Sequence, residues 1–520
     1  MDSGRSEPKR GARRAGRWSA PPFHGRLDRF ARSLGLRSIR STGVGSAWII
    51  LALLSLSSLA SAESGGGAPN SGRPVLHLDL GATLQAHFVA SDLDSLSDLD
   101  RRNRRDQFLL LTADAKIGEH AYAGFRLTED YSSQTPYRPA KGWADDFPSS
   151  FRRAFTNATA RNDRAVLGYR WSWGDLRFGR EDRQWGVGRH GELFISTNPF
   201  PMDGASLRVD SRHLTFLSLF AQLRRGGRNM PVDSLTAADP RSDRDAWLSA
   251  HRLEWRPRPT FRLGLYEAVA YGGRGIDLAY ANPVTLLAAV TQDLDNRAKV
   301  DDKKVLGFDL TAERRPVTLY GEFLINRLVA LDSATKGDSS QISGYAQLAG
   351  LRWNDVGGWR GSDFGVEYAH LDPEVYFHHD GDPGRALLHQ GELIGHWLGP
   401  NADGFFADFG LPPHARLGEV RLGYEQLRWG VIDGRRGVDL GFAGLVRAEK
   451  RWITGRKELE RVYAVTWSRR NLPARFGMNL DGEVRVARVE RAGRSREDGW
   501  QAELRLRWHG RIALAEPLEP

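Results

Sequence analysis

The segment QWGVGRHGELFIST, Gln184 to Thr197, holds Gly186, Gly188 and Gly191 in the spacing G-x-G-x-x-G. Glycines at that spacing expose successive backbone N–H groups, and such a cradle suits an anion: the pyrophosphate of a dinucleotide, or the phosphates of ATP. Around the glycines stand Arg183, Trp185, Arg189 and His190. An aromatic face beside cationic and planar hydrogen-bonding groups also suits sugars, anionic ones above all. Tyr280 with Asn282, and Tyr376 with His378, offer the same residue types. The run HHDGD, from His378 to Asp382, has donors for a divalent cation, but ordinary loop polarity explains it more simply and no metal is expected. Glu322 and Glu367 each stand in an alternating, strand-like run, where they would face an interior. Glycoside hydrolysis needs two carboxyl groups at a defined separation, and no pair of acids stands out for it.

Chemistry of this kind depends on the elements that hold the residues. A dinucleotide fingerprint needs a strand before it and a helix after it. GDLRFGRED supplies the strand, but ELFISTNPFPMDG alternates and then meets Pro199 and Pro201. With no helix N-terminus there is nothing to receive a pyrophosphate. The further elements of a kinase are missing from the chain.

Charge excludes another class. The 520 residues carry a formal +10, but residues 1–62 hold eleven basic residues against three acidic ones. The remainder is nearly neutral, so no basic stripe supports nucleic-acid binding. The leader contains an apolar run from Ala47 to Leu59, too short to span a bilayer comfortably, preceded by Arg32, Arg37 and Arg40. Ala60-Ser61-Ala62 has the A-x-A form of a signal cleavage site, which makes Glu63 the expected first mature residue. There is no cysteine. An exported chain without disulfides must rely on packing and hydrogen bonding, and a closed sheet meets that need.

From residue 75 onward the pattern is period two. HLDLGATLQAHFVA, EVRLGYEQLRW, EVRVARVE and QAELRLRW each set apolar residues on one side and polar on the other. Roughly 18 to 20 such runs recur, each about long enough to cross a bilayer at a tilt. The connections discriminate further. Tight turns (GEH at 118, RPRP at 256, RRP at 314, GPNADG at 399, NLPA at 471) alternate with long polar segments, as in outer-membrane barrels with short periplasmic turns and long extracellular loops. Trp171, Trp173, Trp255, Trp353, Trp429, Trp467 and Trp508 fall near strand ends, where an interfacial girdle sits. The only helical candidate is SDLDSLSDLDRRNRRDQ, from Ser91. Counting strands outward puts residues 183–203 at the extracellular end, in a segment able to turn into the barrel.

Several pieces, in order, resemble the capsule assembly Wzi family of outer-membrane proteins: GREDRQWGVGRHGELFISTNPFP, AYANPV, LYGEFLINR, FGVEYAHLDPEVYFHH and LIGHWLGPNADGFFADF. The resemblance spans about residues 160–430. It implies a barrel of about eighteen strands that anchors capsular polysaccharide as a lectin does, without catalysis. The helical bundle typical of the family has no clear counterpart in residues 63–160.

The expected organisation is a leader and signal peptide at 1–62, a flexible linker at 63–74, an all-β antiparallel transmembrane barrel at 75–508 and a tail at 509–520. The expected partners are surface polysaccharide, outer-membrane lipid and lipopolysaccharide, and the barrel-assembly machinery; no cofactor and no nucleic acid are expected. The rival readings are a porin-like channel for small solutes on the same architecture, and a periplasmic all-β enzyme.

Overall fold

The computed structural model describes residues 38–41, 75–91, 93, 109–130, 159–223, 246–298, 302–326, 344–373, 375–377, 385–389, 392–432, 435–436, 453–474, 478–493 and 496–517. The cleavage site, the linker 63–74, nearly all of the helical candidate after Ser91, and His378 with the rest of HHDGD lie outside them. Eighteen strands build the wall among these residues: β1 Val75–Ser91, β2 Leu109–Ile117, β3 Ala121–Asp130, β4 Thr159–Trp171, β5 Gly174–Glu181, β6 Met202–Asp210, β7 Leu214–Leu223, β8 Ala246–Arg258 and β9 Phe261–Gly272. The second half is β10 Lys303–Arg314, β11 Val317–Ile325, β12 Tyr345–Asn354, β13 Asp363–Leu371, β14 Ala402–Gly410, β15 Glu419–Ile432, β16 Arg456–Pro473, β17 Asn479–Ala492 and β18 Glu497–Pro517. Each pairs antiparallel with the next, and β1 pairs with β18 from Val75↔Pro517 to Ser91↔Gln501, which closes the barrel. Short strands at Ser38–Ser41 and Arg435–Arg436 pair with the ends of β1 and β15.

Closure explains how a chain without cysteine holds so much sheet: each of the eighteen wall strands has a neighbour on both sides. The turns after β2, β4, β6 and the other even strands are short, and the connections after odd strands are mostly long. The expected alternation is therefore present, and residues 182–201 lie at the end with the long connections. Two details differ. GPNADG is no tight turn; it ends the long 372–401 connection and begins β14. The last strand does not stop at Trp508. RIALAEP keeps its alternation and pairs with β1, so strand occupies 509–517 in place of the expected tail.

Alternation sorts the wall into two faces. Leu167, Phe178, Leu253, Leu265, Phe308, Leu319, Leu422 and Val465 point outward and are exposed, an apolar belt such as lipid requires. Trp171, Trp173, Trp255, Trp353 and Trp467 stand at the ends near the short turns, where a girdle belongs. Trp429 does not join them: it turns into the barrel and is 4% exposed. Above the belt, toward the long connections, the outward face becomes polar. Arg180 pairs with Asp203 at 2.5 Å, Arg428 with Asp403 at 2.5 Å, and His251 with Glu267 at 3.2 Å. The strands thus rise beyond the apolar layer. Leu319, 52% exposed within the belt, gives a direct check. Leu319 lies one outward place above the level of Trp353, near the interface, so Leu319→Arg is expected to destabilise the barrel in lipid vesicles by up to about 1 kcal/mol, measured by denaturant unfolding. An unchanged midpoint would place this face in water.

Inward, the half of the lumen near the short turns is lined by paired charges. Arg252 donates to both oxygens of Asp309, at 3.0 and 2.7 Å. Arg421 bridges Asp363 and Asp408, and Arg485 holds Glu503 at 2.6 Å. The half nearer the long connections is different in kind, and it holds the candidate site.

Candidate functional site: a loop across the lumen

Residues 182–201 leave the top of β5 and return to β6. Their stem is a small antiparallel pairing in which the Trp185 N–H donates to Ile195 O at 2.8 Å and the reverse bond is 3.3 Å. The tip, Gly186 to Gly191, reaches across the barrel to β11 and β13. There Glu322 accepts from the backbone N–H of Val187 (2.5 Å), Gly188 (2.7 Å) and Leu193 (2.7 Å). Glu367 accepts from Arg189 N–H (2.7 Å) and His190 N–H (3.0 Å), and from the Tyr320 hydroxyl at 2.9 Å.

The glycine motif therefore cradles anions after all, but the anions are the protein's own carboxylates. Successive N–H groups that would have met a phosphate meet Glu322 and Glu367. Gly186 has φ +154°, and a Cβ there would lie 2.6 Å from Glu322 Oε1 and 2.7 Å from Glu192 Cβ. At Gly188 a Cβ would approach Gly191 O at 2.1 Å. Both positions need glycine so that the backbone can close on the carboxylates. Those carboxylates are engaged as acceptors, which leaves them poorly placed to exchange protons with a substrate.

A second outer connection, 372–401, locks the first. The Ser196 N–H donates to Ile394 O at 2.8 Å and its hydroxyl to Gly395 O at 2.6 Å. Asn198 Nδ2 donates to Leu393 O at 2.9 Å. Tyr376 OH donates to Leu193 O at 2.8 Å and accepts from His396 N–H at 2.9 Å. Trp397 Nε1 donates to His190 O. The Lys303 ammonium on β10 donates to Phe377 O, which fixes this connection to the wall. Between the two connections and the wall lies one continuous apolar core containing Trp185, Leu193, Phe194, Ile195, Tyr266 and Leu398. The Phe194 ring stacks on Tyr266 with centroids 4.0 Å apart. Burial raises the Glu192 carboxyl above the usual carboxylate range, and the Gln184 amide that donates to it offsets part of that effect. The sector is packed rather than open.

The residues singled out in the sequence are distributed unevenly over this arrangement. Trp185 and Tyr376 come together in it, both buried as structural members. Arg183 is 7% exposed beside Glu181, and its Nε and Nη2 find no hydrogen-bond acceptor among the described residues. Arg189 and His190 lie at the tip. The Arg189 guanidinium is 3.4 Å from Asp408, and the His190 ring stacks on Phe406 at 4.3 Å. Asp408 is farther along β14 toward the short turns than Phe406, so the Arg189 side chain faces the charged half of the lumen. Tyr280 and Asn282 are elsewhere, on the connection after β9. There Tyr280 is 1% exposed and its hydroxyl donates to Asp302 at 2.8 Å; Asn282 is exposed. Sequence reading missed Ser196, Asn198 and Lys303. Their roles depend on partners 23 to 199 residues away, and only the polar residue type in an apolar run signals them.

A family model described as capsule assembly protein Wzi matches residues 95–410. No curated protein matches the chain. Among solved structures it is similar to Wzi of Escherichia coli, described as a carbohydrate-binding β-barrel involved in group 1 capsule assembly. The identity is 12%, 85% of each chain is covered and the TM-score is 0.49. It is also similar to OprD of Pseudomonas aeruginosa, at 10% identity over 87% of this chain and 97% of that one, with a TM-score of 0.41.

Proposed function

The chain belongs to the capsule assembly protein Wzi family, and on that premise we propose that it is an outer-membrane barrel that binds surface polysaccharide without transforming it. The observation that supports a binder over a channel is the crossing of the lumen by residues 182–201, held at β11 and β13 by five backbone donors. A packed barrier of this kind opposes solute flow and leaves a fixed outer surface. In this reading the protein is exported through a leader cleaved between Ala62 and Glu63, is inserted by the barrel-assembly machinery and is surrounded by lipopolysaccharide.

A polymer arriving from outside meets the outer connections first. Trp185, Tyr280 and Tyr376 then act by holding those connections in shape, and Arg183, Arg189 and His190 by holding the interior. Asn282 is the exposed candidate for sugar contact, and His378 stays a candidate on its sequence position.

Each sugar contact is weak, and a repeating ligand multiplies it over many barrels in one membrane. Long polymer is expected to bind cells or dense proteoliposomes about 10²–10⁴ times more tightly than a single repeat unit. Deleting the gene is expected to move polysaccharide from the cell-attached to the released fraction, and a plasmid copy to reverse it. Unchanged retention, or equal affinity for repeat unit and polymer, would remove the proposal.

A further inference from the structure

The connection after β9 takes the opposite course from residues 182–201: it lies on the outside of the barrel. It contains two helices, α1 Leu278–Ala281 and α2 Leu287–Ala298. Along β9, Tyr266, Ala268 and Ala270 face the inner core, so Leu265, Glu267, Val269 and Tyr271 face outward. The helices cover that outward face. Glu267 accepts from the first N–H groups of α2, Leu287 at 2.9 Å and Ala288 at 3.1 Å. The Ser249 hydroxyl donates to Tyr280 O at 2.7 Å. Val269, Tyr271, Tyr280 and Leu287 form a buried cluster, with Phe220, Trp247, Val290 and Leu294 packed on it. Arg274 completes the attachment with two bonds to Asp302, at 2.9 and 2.6 Å, and lies over the Tyr271 ring at 4.4 Å.

The level of attachment matters. Glu267 is the next outward residue after Leu265, which belongs to the lipid-facing belt, and its partner His251 is the next after Leu253. The start of α2 therefore rests at the upper edge of the belt. Beside it the connection turns four large apolar side chains away from the protein: Ile276 is 58% exposed, Leu278 80%, Val284 88% and Leu286 63%. A cluster of this kind is unfavourable in water. Leu286, next in sequence to the Leu287 N–H on Glu267, adjoins a surface that already faces acyl chains. We propose that this helical connection is an interfacial element whose apolar side chains, Val284 and Leu286 foremost, insert among the acyl chains of the outer leaflet. Apolar residues on a surface-lying helical segment bind membranes in this way, through buried apolar area.

The chain has no cysteine, so single labels are clean. Val284→Cys and Leu286→Cys, each carrying an environment-sensitive fluorophore, would be refolded into phospholipid vesicles bearing nitroxides near the headgroup or deep in the chains. Leu265→Cys marks the belt and Glu119→Cys a short turn in water. Labels at 284 and 286 are expected to be quenched several-fold more by the shallow nitroxide than the label at 119, and the label at 265 by the deeper one. Quenching by aqueous iodide alone would overturn the proposal. Protection from iodide and nitroxides together would also overturn it and would point to a protein cover. Failure at position 265 as well would instead reject the membrane reading of the barrel.

Discussion

Glu322→Ala is expected to open the barrel. Removing that carboxylate leaves the N–H groups of Val187, Gly188 and Leu193 without their acceptor inside a packed region. A stranded buried donor costs about 1–3 kcal/mol, so three cost about 3–9 kcal/mol, toward the lower end here because the Val187 and Gly188 bonds are only partly buried. The tip should detach from β11, and the second connection should loosen with it through Ser196 and Asn198. In planar bilayers the parent protein is expected to show little steady conductance and the variant frequent open events. Glu367→Ala, which strands two backbone donors and the Tyr320 hydroxyl, should act in the same direction less strongly. Large steady conductance from the parent would sink both the barrier and the binder that rests on it. Identical traces from parent and Glu322→Ala would show that the carboxylate does not hold the tip.

The second large effect is expected at Gly186. Valine there must adopt φ +154° and place its Cβ within 2.6 Å of Glu322 Oε1. Backbone strain of about 1–3 kcal/mol and overpacking of a similar size fall on the same atom group. Gly186→Val should therefore reproduce the conductance of Glu322→Ala while every wall residue stays intact. Gly275→Ala is the matched control, since a Cβ there meets nothing within 4 Å. Equal urea midpoints for the two variants would mean that the tip tolerates side chains and that its glycines are incidental.

The wall was legible because alternation is a local property. In EVRLGYEQLRW the period-two pattern is complete within eleven residues, and connection lengths then fixed which end was which. Parity placed residues 183–203 with the long connections, and alternation put Glu322 and Glu367 inside. Other features depended on distant partners. The tip closes on carboxylates more than a hundred residues away, and nothing in GVGRHG distinguishes a bound phosphate from a protein carboxylate. Trp429 resembles a girdle residue because it stands near a strand end, yet it faces the inner core and its indole N–H donates to Leu398 O at 3.3 Å. The helix at Leu287–Ala298 was not among the helical candidates of the sequence. Leu287, Val290, Thr291 and Leu294 mark its buried face, and its N-terminus is satisfied by Glu267, which lies on a strand. The final strand was cut short at Trp508 because an aromatic was taken as its end, although Arg511 to Ala515 go on alternating.

The loop across the lumen also has a mechanical meaning. Neighbouring strands in a sheet rotate easily about their shared hydrogen bonds, so an empty ring of eighteen can flatten into an oval at little cost. Residues 182–201 grow from β5 and β6 and grip β11 and β13, five to eight places around the ring. They act as a chord across the circle. Squeezing the ring along that line compresses the core around Phe194 and Tyr266, and widening it pulls on the hydrogen bonds at Glu322 and Glu367. Shape, and with it the spacing of the outer connections, then resists the lateral pressure of a crowded membrane.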